Sequence, residues 1–266
     1  MPRAHRHFLP GQLWHITHRC HEKAFLLKFA RDRRRYLRWL FEAKKRFGLC
    51  LLNYVVTSNH IHLLVKDTGE GVIASSIQLV AARTAQEYNL RRVRYGVFWE
   101  DRYHATAIEG DEHLHRCLVY IDLNMVRAGV VRHPQAWPHG GYREIQEPPQ
   151  RYALIEREEL SKLCGFASVA DFRGAHRRWV ADALSSETSR RDARWSEAIA
   201  VGSTSFVAKV KRELEVKARF RQIEVADDGG CVLQEPRYAY RAIFSRENEA
   251  LRRKNTVYWT GNPRNT

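Results

Sequence analysis

The sequence LCLLNYVVTSNHIHLLVK, residues 49–66, predicts the centre of a β-sheet. Its first part, Leu49 to Val56, is an almost uninterrupted apolar run, which is typical of a buried strand. Thr57-Ser58-Asn59 is a turn sequence, and His60 to Lys66 has the alternation of a second strand. We therefore expect an antiparallel hairpin inside the protein.

Amphipathic segments flank this hairpin. Arg31 to Phe47 and Gly71 to Arg92 carry apolar residues at three- and four-residue steps, which predicts two helices, and Gly48 follows the first of them as a C-terminal cap would. Two acidic residues begin a third helix at Asp111, which we expect to run to about Arg127. Strands and helices of this kind predict an α+β fold for residues 1–147.

The composition changes after Glu147-Pro148-Pro149-Gln150, which is the best candidate for a domain boundary. Beyond it the pattern is helical, and residues 151–266 are predicted to form a smaller helical domain. Its predicted helices are Glu156 to Cys164, Val169 to Leu184, Thr204 to Lys217 and Arg237 to Arg253.

The charge of the chain points to a polyanionic partner. Lys and Arg total 45 against 30 acidic residues, a formal net charge of +15. Proteins this basic usually bind nucleic acid or a membrane surface. No apolar stretch is long enough to span a bilayer, and no apolar signal core follows the basic N-terminus. Five scattered cysteines without a Cys-x-x-Cys pair favour a reducing cytoplasm.

Two histidines on the predicted second strand are the sharpest chemical signal. Residues two apart on a strand project from the same side, so His60 and His62 can hold a metal ion together. A pair of half-buried histidines is the alternative. In the sequence His113-Leu114-His115, on the predicted third helix, the two side chains diverge and cannot chelate one ion.

A tyrosine and an asparagine on that third helix form the second signal. Tyr120 and Asn124 are four residues apart and therefore share one side of a helix. If that side faces the histidine pair, the Asn124 oxygen can complete a metal site beside Tyr120. A tyrosine hydroxyl, with an ordinary pKa of about 10, is a weak nucleophile without a positive neighbour. The alternative for Tyr120 is an ordinary buried aromatic.

Several separated blocks in one order resemble a known family. They are VVTSNHIHLLV (55–65), FWEDRY (98–103), YIDLNMVRAG (120–129) and Trp137-Pro138. The chain resembles the HUH single-strand endonucleases with one catalytic tyrosine, in particular the IS200-like and, among these, the REP-associated tyrosine transposases. Met125 stands where much of that family has proline.

The resemblance implies a fold and a reaction. The fold is a ferredoxin-like antiparallel sheet with packed helices. His60, His62 and Asn124 would bind Mg²⁺ or Mn²⁺, and Tyr120 would attack a DNA phosphodiester. The products would be a 5′-phosphotyrosine link and a free 3′-hydroxyl. The substrates would be single-stranded hairpins formed by REP-like palindromes, and a monomer and a homodimer both remain open.

Two further groups are predicted to contact DNA. Arginines in the first half of the chain lie beside Tyr95 and Trp99, on which bases could stack. A basic stretch in the second half could grip the hairpin. The residues are Arg91, Arg92, Arg94, Trp99 and Arg102, and then Lys209, Lys211 and Arg212.

Other functions share some of these features. Histidine-triad hydrolases need a third histidine where this chain has Leu64, so that class is excluded. Replication initiators and relaxases use the same chemistry, but the size of the chain and the flanking blocks favour a transposase. A basic DNA-binding regulator without cleavage activity is the non-enzymatic alternative.

Overall fold

A mixed sheet forms the centre of the protein in the computed structural model, which describes residues 9–186, 192–218, 220–226 and 229–234. Within these residues it has seven strands, in the order β2-β3-β1-β4-β5-β7-β6. All neighbours are antiparallel except β4 and β5, which are parallel. The strands are β1 (Leu13–Arg19), β2 (Cys50–Val56), β3 (His60–Lys66), β4 (His104–Ile108), β5 (Ala200–Gly202), β6 (Gln222–Val225) and β7 (Cys231–Gln234).

The first four strands have ferredoxin-like topology. Helix α1 (Ala30–Phe47) connects β1 to β2, and helix α2 (Val72–Arg92) connects β3 to β4. The strand order β2-β3-β1-β4 follows from these two crossovers around the β2-β3 hairpin. The α+β fold predicted from the sequence is confirmed, as are the hairpin and both helices.

Helices α1 and α2 pack along each other and bury apolar side chains that recur at helical spacing. In α1 these include Tyr36 and Leu40, which are almost fully buried, and in α2 Ile77 and Val80. Helix α1 ends at Gly48, whose φ of 72° is left-handed and therefore suits glycine. No helix in the described parts of the chain has both the length and the apolar character needed to cross a bilayer.

The helix expected from Asp111 to Arg127 is divided in two. Helix α3 (Asp111–Asp122) ends before Leu123, and a single turn, α4 (Asn124–Arg127), follows it. Leu123 has a ψ of 2°, outside the α-helical range, so the chain changes direction between Tyr120 and Asn124. The prediction of one continuous helix was wrong at this residue.

The second half of the chain packs on the first and extends its sheet. Strand β5 pairs with β4, and β7 pairs with β5. Strands of three or four residues show too little alternation to be recognised, so the sequence predicted only helices here. The further helices are α5 (Gly141–Gln146), α6 (Arg157–Leu163), α7 (Val169–Ser185), α8 (Arg194–Glu197) and α9 (Thr204–Glu213).

Three of the helices predicted beyond residue 150 are present as α6, α7 and α9. The predicted helix from Arg237 to Arg253 lies outside the described residues. The division into domains of residues 1–147 and 151–266 stays a prediction, although the sheet itself runs through both segments.

Candidate active site

The residues predicted from the sequence to bind metal or attack DNA all line one cavity of about 800 Å³. His60 and His62 from β3 line it, and so do Tyr120 from α3 and Asn124 from α4. The two imidazole centroids are 5.0 Å apart, as expected for alternate residues of one strand. The centroid of the Tyr120 ring lies 5.9 Å from that of His62. Helix α3 therefore crosses the side of the sheet that carries the histidines.

The turn before β3 orients His60. The Nδ1 atom of His60 lies 2.7 Å from the side-chain oxygen of Asn59, and the Thr57 hydroxyl donates to the His60 carbonyl at 2.8 Å. Because an amide oxygen only accepts, Nδ1 donates, and in a neutral ring the lone pair then lies on Nε2. The Thr-Ser-Asn turn thus presents one nitrogen of His60 as an electron-pair donor.

His62 is nearly fully buried, and its Nδ1 lies 2.9 Å from Nε2 of His15 on β1. Nδ1 of His15 lies 2.6 Å from the carbonyl of Trp195 in α8. Burial lowers the pKa of His15 to about 3. Burial also lowers the pKa of His62 well below its ordinary value, and the nearby His60, His15 and Arg127 act in the same direction. Burial therefore favours the neutral form of both rings.

Arg127, at the end of α4, is a site residue that sequence reasoning missed. Its guanidinium lies over the ring of Tyr120, donates to the Tyr120 carbonyl at 2.6 Å and lines the same cavity. The sequence signal was available, because Arg127 belongs to the block YIDLNMVRAG. The short helix after Leu123 turns the side chain back over Tyr120.

The cavity lining is mixed in charge with a positive excess. Four basic side chains and three acidic ones line it, and an anion such as a DNA phosphate would find donors there. The basic residues are Arg19, Lys23, Arg102 and Arg127, and the acidic ones are Glu100, Asp101 and Glu197. Of the residues predicted to contact DNA, Arg102 alone is among these.

The other predicted DNA contacts lie elsewhere. Trp99 is buried and stacks on His18, with ring centroids 4.1 Å apart, and its indole donates to the Ala81 carbonyl. Arg91 forms an ion pair with the buried Asp32. Tyr95, by contrast, is 92% exposed. Of the two aromatic residues that the sequence offered for base stacking here, Tyr95 is therefore the exposed one and Trp99 the buried one.

Arg92 and Arg94 differ in how much of their donor capacity is used. The Arg92 guanidinium lies 5.6 Å from the ring centroid of Phe29, which is half exposed. Arg94 donates to Asn89 and to the carbonyls of Gly96 and Val97, and so holds the turn after α2. In the second half of the chain α9 carries Lys209, Lys211 and Arg212, none of which lines the cavity.

The side chains predicted to bind metal match the ligand preferences of a divalent cation only in part. Within the described residues, no three His, Cys, Asp or Glu side chains are arranged to hold a metal ion. The predicted set contains two imidazoles and one amide oxygen. Three protein ligands would leave positions for phosphate oxygens and water on a six-coordinate ion. Of these ligands the amide oxygen of Asn124 suits Mg²⁺ and Mn²⁺ best, because both ions prefer oxygen ligands.

Comparison with known proteins bears on these residues. Residues 11–124, which include all four predicted chemical residues, match the family model "Transposase IS200 like". No curated protein matches the chain. Two solved structures share low identity with it. One, described as a REP-associated tyrosine transposase bound to a REP hairpin, is 17% identical over 57% of this chain and 90% of its own, with a TM-score of 0.47. The other, assigned as a transposase of Deinococcus radiodurans R1, is 16% identical over 39% and 83%, with a TM-score of 0.31.

Proposed function

From the match of residues 11–124 to the IS200-like transposase family model, we propose that the protein is a member of that family that cuts and rejoins single-stranded DNA through a covalent link to Tyr120. The observation that carries the proposal is the shared cavity of Tyr120, His60, His62 and Asn124. These residues come from three elements, β3, α3 and α4, and β3 is far from the other two in the chain. Their convergence supplies a nucleophile beside a set of electron-pair donors.

The chain's own residues supply most of the chemistry. The Tyr120 hydroxyl releases its proton as its oxygen attacks the phosphorus of a phosphodiester, the P–O3′ bond breaks, and the leaving O3′ takes up a proton to become a 3′-hydroxyl. Arg127 lies against Tyr120, and its positive charge stabilises the negative charge that develops on the attacking oxygen and the phosphate. Attack by a 3′-hydroxyl on the phosphotyrosine reverses these steps and rejoins the strand.

His60, His62 and Asn124 are the residues that would hold Mg²⁺ or Mn²⁺. When bound, such an ion polarises the phosphate oxygens and orients the phosphate for in-line attack. The neutral state of His62, enforced by burial, is the state in which an imidazole binds metal.

The substrate class we propose is a hairpin formed by a short REP-like palindrome, cut beside its stem. The sequence blocks that resemble the REP-associated subgroup support it, and so do the net charge of +15 and the basic lining of the cavity. We place the reaction in a reducing cytoplasm, which the five scattered cysteines without a Cys-x-x-Cys pair favour.

A denaturing gel tests the proposal. The protein is incubated with hairpin oligonucleotides from the flanks of its own gene, in Mn²⁺, Mg²⁺ or EDTA. A 3′-labelled oligonucleotide should give a labelled protein adduct, and a 5′-labelled one a shortened free fragment. Tyr120→Phe should abolish both products, whereas Tyr152→Phe, which changes an exposed tyrosine, should not.

The alternative function gives a different result. Tight hairpin binding without an adduct, in either metal and with several flanking hairpins, would support a DNA-binding regulator. An adduct that persists in Tyr120→Phe would place the nucleophile elsewhere.

A further inference from the structure

A chain of two hydrogen bonds leads from the second half of the protein to a proposed metal ligand. The Trp195 carbonyl lies 2.6 Å from Nδ1 of His15, and Nε2 of His15 lies 2.9 Å from Nδ1 of His62. The two imidazole planes are within 6° of parallel. His15 is fully buried in the middle of β1, so nothing outside the protein can replace either contact.

The direction of each hydrogen bond follows from the first acceptor. A carbonyl oxygen only accepts, so Nδ1 of His15 carries a proton and donates it to Trp195. In a neutral ring Nε2 of His15 is then an acceptor, and Nδ1 of His62 must be the donor. The lone pair of His62 is therefore on Nε2, where a metal ion could use it.

Both ring nitrogens of the fully buried His15 are hydrogen-bonded within the protein, Nδ1 to the Trp195 carbonyl and Nε2 to His62. The two contacts together fix the orientation of the ring and the direction of its hydrogen bond to His62.

We infer that His15 is a positioning residue that fixes His62 in the Nδ1–H tautomer and so sets the metal affinity of the site. The inference rests on the proposed function, because it assigns a role toward the metal that the function requires. It also gives the second half of the chain a part in the active site, since α8 supplies the carbonyl that fixes His15. Residues that orient a metal-binding histidine typically change metal affinity about 10- to 100-fold when replaced.

Three substitutions at His15 separate the two hydrogen bonds. His15→Gln places an amide oxygen near the position of Nε2 and can still accept from His62. His15→Asn reaches only the position of Nδ1, so it keeps the Trp195 contact and loses the His62 contact. His15→Phe keeps a ring and loses both. His139→Phe, which changes another buried histidine that does not line the cavity, is the matched control.

The measurement is Mn²⁺ affinity without DNA, followed by electron paramagnetic resonance of the free ion. We expect His15→Phe and His15→Asn to bind Mn²⁺ about 10- to 100-fold more weakly than wild type. His15→Gln and His139→Phe should remain close to wild type. Equal affinity in wild type, His15→Phe and His15→Asn would overturn the inference.

A second measurement needs no substitution at His15. Imidazole ¹⁵N chemical shifts of the metal-free wild-type protein report which nitrogen of His62 carries the proton, with His62→Gln used for assignment. A proton on Nδ1 supports the inference, and a proton on Nε2 overturns it even if every His15 variant fails to fold.

The two proposals fail in different ways. If wild type shows no Mn²⁺ binding that depends on His60 and His62, the proposed metal site is wrong. If wild type binds Mn²⁺ through both histidines but His15→Phe binds it equally well, only the role of His15 is wrong.

Discussion

The guanidinium of Arg127 lies over the ring of Tyr120, with its Cζ atom 4.1 Å from the ring centroid. A cation on the face of an aromatic ring is attracted to it, and the attraction grows when the environment excludes water. Arg127 is half-buried and also holds the Tyr120 carbonyl, so this contact is built into the turn after α3. Arg127 therefore gives Tyr120 the positive neighbour that the proposed role of this tyrosine as a nucleophile would require.

Replacing Arg127 should slow the covalent step more than it weakens DNA binding. Arg127→Met keeps much of the side-chain volume but removes the charge, and we expect adduct formation to slow about 10²- to 10³-fold. Arg127→Lys keeps the charge without the planar group and should be intermediate. Single-turnover adduct formation at saturating hairpin measures the effect. An unchanged rate in Arg127→Met would contradict it.

The exposed aromatic after α2 should contribute to DNA binding, and the buried one to stability. Stacking of a base on an aromatic ring contributes about 1 to 3 kcal/mol to the binding free energy. Tyr95→Ala should therefore weaken hairpin binding without changing Tm, whereas Trp99→Ala should lower Tm because it empties a buried site.

Fluorescence anisotropy at fixed salt and a thermal melt of each variant check this pair. The opposite pattern, in which Trp99→Ala weakens binding at unchanged Tm and Tyr95→Ala has no effect, would indicate that bases stack on Trp99 and not on Tyr95.

A buried polar contact joins the tyrosine helix to the second half of the chain. Nε2 of His176 on α7 lies 2.7 Å from Oδ2 of Asp122 on α3, and both side chains are fully buried. Asn53 donates to the other oxygen of Asp122 at 3.0 Å. His176→Phe leaves the buried carboxylate short of a partner and should lower the free energy of unfolding by about 3 to 5 kcal/mol.

Denaturant unfolding of His176→Phe measures this loss, with Arg178→Ala, which changes an exposed residue of the same helix, as the control. The double variant Asp122→Leu/His176→Phe should recover part of the stability, because it removes both polar groups. A loss in His176→Phe no larger than in the control would show that the contact contributes little.

Stability should fall in mild acid, partly through His139. Burial, reinforced by Arg33 and Arg34, lowers the pKa of His139 from 6.5 to about 4. Between these values the unfolded chain binds more protons than the folded one, so stability decreases as the pH falls through this range and is fully present above it. Between about pH 7 and about pH 5, His139→Phe should lose about 2 kcal/mol less stability than wild type.

Denaturant unfolding at the two pH values gives this difference directly. The other histidines are common to both proteins, so their effects cancel in the comparison. An equal loss in the two proteins would mean that His139 is exposed or already protonated when folded.

The sequence by itself determined the hairpin, the helices α1 and α2 and the pairing of His60 with His62. Each is encoded locally: alternation places His60 and His62 on one side of a strand, and three- and four-residue spacing places Tyr36 and Leu40 on one side of a helix. The four-residue spacing that brings Tyr120 and Asn124 near each other could be read from the sequence in the same way. The break at Leu123 could not, because the sequence around it has no proline or glycine to mark it.

Only the tertiary structure decided which groups surround those residues. His15 and Trp195 are 180 residues apart, and nothing in the sequence near either one indicates a hydrogen bond between them. Strand β5 is too short to be recognised and exists because β4 offers it an edge to pair with. Contacts of this kind depend on how distant elements pack, and periodicity along the chain carries no information about that packing.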